Sequence, residues 1–196
     1  DATALSFFPS KNLGAYGDAG MILTNDDRLA KRMKSLRVHG ANPKYYHQEV
    51  GYNSRLDAIQ ASILRVKLQY LNQWTKGRQR VAATYLKLLN KYNLRNKIVT
   101  PEYKVQDSIH VYHQYVIRVD NRDEFQEKLK KAGISTAVYY PIPLHLQECY
   151  QKVEDVKDFL PVAEKACKEV LALPIDPGLS EKQVDYVVKC IKENVS

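Results

Sequence analysis

The chain has 196 residues, 44% of them hydrophobic and 27% charged, a balance that suits one globular domain or two small ones and excludes a disordered or fibrous segment. No apolar run approaches the roughly 20 residues that span a bilayer, and the first residues lack the basic-then-apolar layout of a signal peptide. The 30 Lys plus Arg against 22 Asp plus Glu give a net charge of +8, but the basic residues are scattered among acidic ones, as at Glu124, Glu127, Lys128, Lys130 and Lys131. A nucleic-acid-binding arm or stripe is therefore not expected. Cys149, Cys167 and Cys190 are widely spaced and form no C-x-x-C pair, and His47, His110 and His113 have no partner at a metal-ligand spacing. These patterns indicate neither a disulfide framework nor a metal site, and a reducing cytoplasm is the expected compartment.

In chain order, Ala4 to Phe8 is strand-like, Pro9 to Gly14 is turn-rich, and Met21 to Thr24 is a second short apolar strand, so a lysine, Lys11, is carried between two strands. Asn25 or Asp26 can cap a helix running to about Leu36. After a loop from His39 to Ser54, Leu56, Ile59, Ile63, Val66 and Tyr70 recur at helical spacing and predict an amphipathic helix, and Trp74, Arg78, Val81, Tyr85 and Leu88 or Leu89 predict another. Val111 to Val119 alternates as a strand does. Asn121 or Asp123 can cap a helix bearing Phe125 and Leu129 that ends at Gly133, and Ile134 to Tyr140 reads as a further strand. Past the break at Pro141-Ile142-Pro143, Leu160-Pro161 opens a helix to about Val170, Leu171 to Pro174 is a short strand, and Ser180 to Gln183 forms a capping box before a last helix faced by Val184, Val187, Val188 and Ile191.

Taken alone, Lys11 is a lysine in a polar turn, and most such lysines are solvated surface groups. The segment Ser6-Phe7-Phe8-Pro9-Ser10-Lys11-Asn12-Leu13-Gly14-Ala15-Tyr16-Gly17-Asp18, however, resembles the cofactor-lysine segment of the DegT/DnrJ/StrS sugar aminotransferases, a branch of the fold type I pyridoxal-phosphate enzymes. Leu36 to Gly40, Gly51 to Ala61, Tyr139 to His145 and Leu173-Pro174 resemble further segments of that family, in its order, so the likeness covers essentially the entire chain. Ala19 departs from it, standing where many relatives have glycine.

The resemblance implies an α/β fold, namely the C-terminal half of a fold type I aminotransferase. Residues 1–75 would be the end of the large cofactor domain and 76–196 the small C-terminal domain. It implies pyridoxal 5'-phosphate as cofactor, with Lys11 holding it as a Schiff base and moving the proton between donor and cofactor; a related dehydrating subgroup has histidine at this place. Ser6 and Asn53 match residues that reach the cofactor phosphate, Asn53 from the neighbouring subunit of a homodimer with shared sites. On residue type alone, Ser6 reads as a strand-end serine satisfied by backbone. Arg55 matches a position lining the same site, where it can clamp an anion with two parallel bonds, and an ion pair with Asp57 or Glu49 is an equally open reading. Tyr139, Tyr140 and His145 flank the proline-broken loop and are candidates for substrate contacts, with packing as the alternative. The implied reaction moves an amino group from an amino acid, glutamate by expectation, to a nucleotide-linked keto sugar in amino-sugar biosynthesis, for a polysaccharide such as lipopolysaccharide or a secondary metabolite. The family's pyridine-nitrogen partner, ring-stacking aromatic and phosphate turn all precede the lysine segment. The chain is thus expected to be a fragment, inactive without an N-terminal half. A non-catalytic regulatory or interaction protein of the same descent is the alternative.

Overall fold

A strand, a turn-rich loop and a second strand can satisfy their backbone groups locally only by folding back antiparallel, and the chain begins in this way. In the computed structural model, which describes residues 1–101, 108–150 and 159–195, β1 (Thr3–Ser6) pairs with β2 (Gly20–Leu23) in the register Thr3↔Leu23 to Ser6↔Gly20. The chain divides into two compact units, Asp1–Gln73 and Trp74–Ser196.

In the first unit, Asp26 caps α1 (Asp27–Leu36) by accepting the backbone N–H groups of Arg28 and Leu29 at 2.8 and 3.1 Å. The second helix, α2 (Ala58–Leu68), is shorter than the Leu56 to Tyr70 expectation, and its buried side differs from the predicted one. Ile59 and Val66 are exposed, whereas Leu64 is buried with Phe7 and Ala15, flanked by Leu13, Ala19 and Leu56. The reason is that α2 carries apolar residues on more than one side, so periodicity alone does not choose among them. Leu5, Phe8, Ile22 and Leu23 are also exposed.

The second unit is built on α3 (Leu71–Lys91), which runs across the division and buries Val81, Ala82, Tyr85, Leu88 and Leu89. A three-stranded antiparallel sheet has the order β3 (Ile98–Val99), β4 (Tyr115–Val119), β5 (Val170–Leu173). The alternating inward residues of β4, Tyr115, Ile117 and Val119, meet α3, α4 (Arg122–Lys131) and α6 (Glu181–Asn194) in one core. The rings of Tyr85 and Tyr115 stack with centroids 4.8 Å apart, and burial pushes both phenols above the usual tyrosine range. Helix α5 (Pro161–Glu169) starts with proline in its first turn, and α6 has the expected capping box between Ser180 and Gln183. No helix among the described residues is long and apolar enough to cross a membrane.

Two expected strands are shorter than their sequence alternation. Residues 111–114 lie outside β4, because Tyr112 adopts φ 43°, its N–H donates to His110 Nδ1 at 2.9 Å, and Arg78 takes the carbonyls of Tyr112 and His113 at 3.2 and 3.4 Å. Those groups bond to side chains instead of a neighbouring strand, so the ladder begins at Tyr115. Residues 134–140 touch the sheet through the single bridge Ala137↔Ala172, and Pro141 and Pro143 follow at once. The short β3 had no alternation long enough to announce it.

The two units differ sharply in buried apolar side chains. Amide hydrogen exchange on this chain is therefore expected to show strong protection in α3, β4, β5 and α6 and little in β1 and β2. Equal protection in both units would contradict that reading of the cores.

Candidate active site

Lys11 sits within the loop that joins β1 to β2, and the loop is cross-braced from inside. The N–H of Phe7 donates to Ala19 O at 2.9 Å, that of Ala15 to Phe7 O at 2.8 Å, and that of Lys11 to Phe8 O at 2.8 Å. Gly14 lets the chain double back, since a Cβ there would fall 2.3 Å from Pro9 O and 2.9 Å from Phe8 O. Lys11 is half-buried, and among the described residues no carboxylate lies within ion-pair distance of its amine. Ser6 ends β1 at the mouth of this loop, exposed, with its hydroxyl accepting the Phe8 N–H at 3.4 Å. Helix α2 reaches the same loop through two side chains that sequence reasoning did not single out. Gln60 Oε1 accepts the Tyr16 N–H at 2.8 Å, and the Lys67 ammonium donates to Gly14 O.

Asn53 and Arg55 belong to a second element of the same unit, a loop tied off at its neck. Val38 bridges Asn53, Tyr52 N–H donates to Leu36 O at 2.7 Å, and Ser54 N–H to Arg37 O at 2.9 Å. The neck admits no extra atoms. A Cβ on Gly51 would fall 2.2 Å from Gly40 N, and one on Gly40, whose φ is +69°, would fall 1.8 Å from Glu49 O. His39, at φ 65°, offers its carbonyl to His47 Nδ1 at 2.9 Å, a structural role. Arg32 holds Glu49 at 3.1 Å. The side chains of Asn53 and Arg55 are exposed.

Tyr139, Tyr140 and His145 lie in the second unit. The two tyrosine rings meet edge to face at 5.7 Å and are exposed. The His145 side chain is buried, with Nε2 3.2 Å from Glu164 Oε1, an oxygen that also accepts the Leu160 N–H at 3.3 Å. Tyr140 and His145 line one apolar cavity of about 750 Å³, together with Ile142, Leu144, Leu160 and Cys167. The structure thus brings Ser6 to the Lys11 loop, places Asn53 and Arg55 on one stem, and gathers Tyr140 and His145 about one cavity. Glu164, the half-buried partner of His145, is a first-turn helix carboxylate like many others and gave no signal in the sequence.

The model of the DegT/DnrJ/EryC1/StrS aminotransferase family matches residues 1–192. The chain belongs to that family. DegT/DnrJ/EryC1/StrS aminotransferases depend on pyridoxal phosphate. Among relatives within the family, a "Pleiotropic regulatory protein" of Geobacillus stearothermophilus is 54% identical over 192 residues, 98% of this chain and 51% of that protein. The UDP-2-acetamido-2-deoxy-3-oxo-D-glucuronate aminotransferase of Pseudomonas aeruginosa is 46% identical over 182 residues, 93% of this chain and 48% of that one. The crystal structure of S. venezuelae DesV superposes with a TM-score of 0.89 at 38% identity, covering 98% of this chain and 51% of that one. The fold is therefore part of the fold type I aminotransferase architecture, and the chain spans about half the length of the curated relatives it matches.

Replacing Gly40 with alanine puts a Cβ into the Glu49 carbonyl at a backbone angle that side chains disfavour. Gly40→Ala is expected to destabilise the Asn53 stem by more than about 1 kcal/mol, read as a lowered thermal midpoint with loss of amide protection at Tyr52 and Ser54. An unchanged midpoint and unchanged protection would show that the neck yields freely.

Proposed function

We propose that this chain is the C-terminal half of a pyridoxal-phosphate-dependent enzyme that transfers an amino group from an amino acid, glutamate by preference, to a nucleotide-linked keto sugar. The observation that carries this reading is Lys11 itself, a primary amine with no carboxylate partner among the described residues, held on a cross-braced loop inside the family match. Support for the substrate comes from the 46% identical relative, whose name is that of a UDP-keto-sugar aminotransferase. The donor set fits the cofactor: an amine for its aldehyde and, at the mouth of the same loop, a hydroxyl suited to a phosphate. When bound, the cofactor supplies the electron sink that lets the donor's α-proton leave.

In this reading Lys11 binds the cofactor through Nζ, yields it to the incoming amine, and then carries the proton to and from the reacting carbon. The Ser6 hydroxyl and the Asn53 amide donate to the cofactor phosphate. The exposed Arg55 guanidinium clamps an anionic group of cofactor or substrate with two parallel bonds. Tyr139 and Tyr140 contact the nucleotide sugar, and His145 borders the same loop. Residues 1–75 form the end of the large cofactor domain and 76–196 the small domain. The enzyme works in the cytoplasm as a homodimer, with Asn53 and Arg55 serving the partner's site. A second reading, a regulatory protein on the same fold, is favoured by the name of the 54% identical relative.

Borohydride reduction of the whole protein after incubation with pyridoxal phosphate, followed by peptide mapping, should fix the cofactor on Lys11, and Lys11→Ala should abolish both label and amino transfer. Label on Lys34 or Lys44 would sink the assignment, and a protein that takes no label and moves no amino group would leave the regulatory reading. Shared sites predict that Lys11→Ala and Asn53→Ala subunits, each inactive alone, regain activity when mixed. No recovery despite demonstrated subunit exchange would rule them out.

A further inference from the structure

One side of α2 is unusual in what it offers. Gln60, Leu64 and Lys67 follow one another at four- and three-residue steps, so they share a helix face. All three are turned to the loop bearing Lys11. Leu64 is the apolar centre, buried with Phe7 and Ala15. On one side of it Gln60 accepts the Tyr16 N–H at 2.8 Å, and its Nε2 lies where a Cβ on Gly17 would come within 3.2 Å. On the other side the Lys67 ammonium donates to Gly14 O and stands 5.0 Å from the centroid of the Tyr16 ring.

The bonds inside the loop tie Lys11 back to Phe8 and join Phe7 to Ala15 and Ala19, and none of them reaches the Gly14 carbonyl or the Tyr16 N–H. Across Gly14 to Gly17, α2 supplies an acceptor for one peptide group and a cation for another. We propose that Gln60 and Lys67 are positioning residues for Lys11, clamping the far limb of its loop so that the amine meets the cofactor at a fixed place and angle. The inference rests on Lys11 being the cofactor lysine. The geometry also dictates which replacements are tolerated. Gln60 acts as an acceptor, so a carboxylate of equal length serves and a shorter amide does not reach. Lys67 acts as a charged donor, so an apolar chain of similar length loses both the carbonyl bond and the contact with Tyr16.

The test uses the whole protein carrying Gln60→Leu, Gln60→Glu, Gln60→Asn or Lys67→Met, with two readouts besides activity. One is exchange of the Tyr16 amide; the other is the dissociation constant for pyridoxal phosphate, with the share of bound cofactor that borohydride fixes to Lys11. Loss of one such hydrogen bond corresponds to about a tenfold change. Gln60→Leu is therefore expected to speed Tyr16 exchange and weaken cofactor binding about tenfold each, with a smaller share of the cofactor fixed. Gln60→Glu is expected to restore both, and Lys67→Met to weaken cofactor binding without changing which lysine is labelled. If Gln60→Leu does not fold, Gln60→Asn against Gln60→Glu makes the same comparison, and equal behaviour of that pair overturns the proposal. A wild-type protein labelled at Lys11, with Gln60→Leu and Lys67→Met both within twofold of it in exchange and affinity, overturns the clamp alone. A wild-type protein with no label at Lys11 overturns the functional reading, and the positioning role with it.

Discussion

The return of the chain from Ser6 to Gly20 is the constraint on which the rest of the candidate site hangs. That rung closes the loop carrying Lys11, and the Phe7 and Ala19 backbone pair extends the closure by one step. A lysine side chain has four rotatable carbons and loses close to 2 kcal/mol of rotamer freedom when it is held. Confining the backbone beneath it is what a reproducible amine position requires. The tight approach of Gly14 to the Pro9 carbonyl and the buried trio of Phe7, Ala15 and Leu64 serve that confinement.

The second unit meets a different demand. Its core is continuous, with Tyr85, Ile117, Leu129, Leu171 and Ile191 fully buried, and it supports the proline-broken segment through the bridge of Ala137 with Ala172 and the half-buried pair of His145 with Glu164. Arg78 does comparable work at the entrance to β4, where a single guanidinium nitrogen ties down carbonyls of Tyr112, His113 and Ile175. Such side-chain buttresses hold irregular backbone where ladder bonds stop.

The long helices were legible because α3 and α6 each expose one polar face and bury one apolar face, and their caps, Asp26 for α1 and Ser180 for α6, are residue types that act locally. The length of β4 and the buried side of α2 were not, because each is decided by partners distant in sequence. Arg78 reaches across more than thirty positions to claim carbonyls near Tyr112, and Phe7 reaches Leu64 across more than fifty. Within the candidate site, Lys11 was singled out by motif likeness alone, since nothing in its charge or spacing sets it apart from other lysines. Gln60, Lys67 and Glu164 escaped notice for the same physical reason. A helix side chain becomes a brace only when another segment is folded against it.

The neck formed by Gly40 and Gly51 separates two kinds of sequence freedom. At the neck even a methyl group has no room, whereas the tip beyond it presents Tyr45 and Tyr46 at 77% and 70% exposure. Exchanges at Pro43 to Tyr46 can therefore accumulate without disturbing the bonds that hold Tyr52 and Ser54. The surface of the tip is free to diverge while the stem bearing Asn53 and Arg55 keeps its shape, the arrangement by which one scaffold can acquire new recognition without being rebuilt.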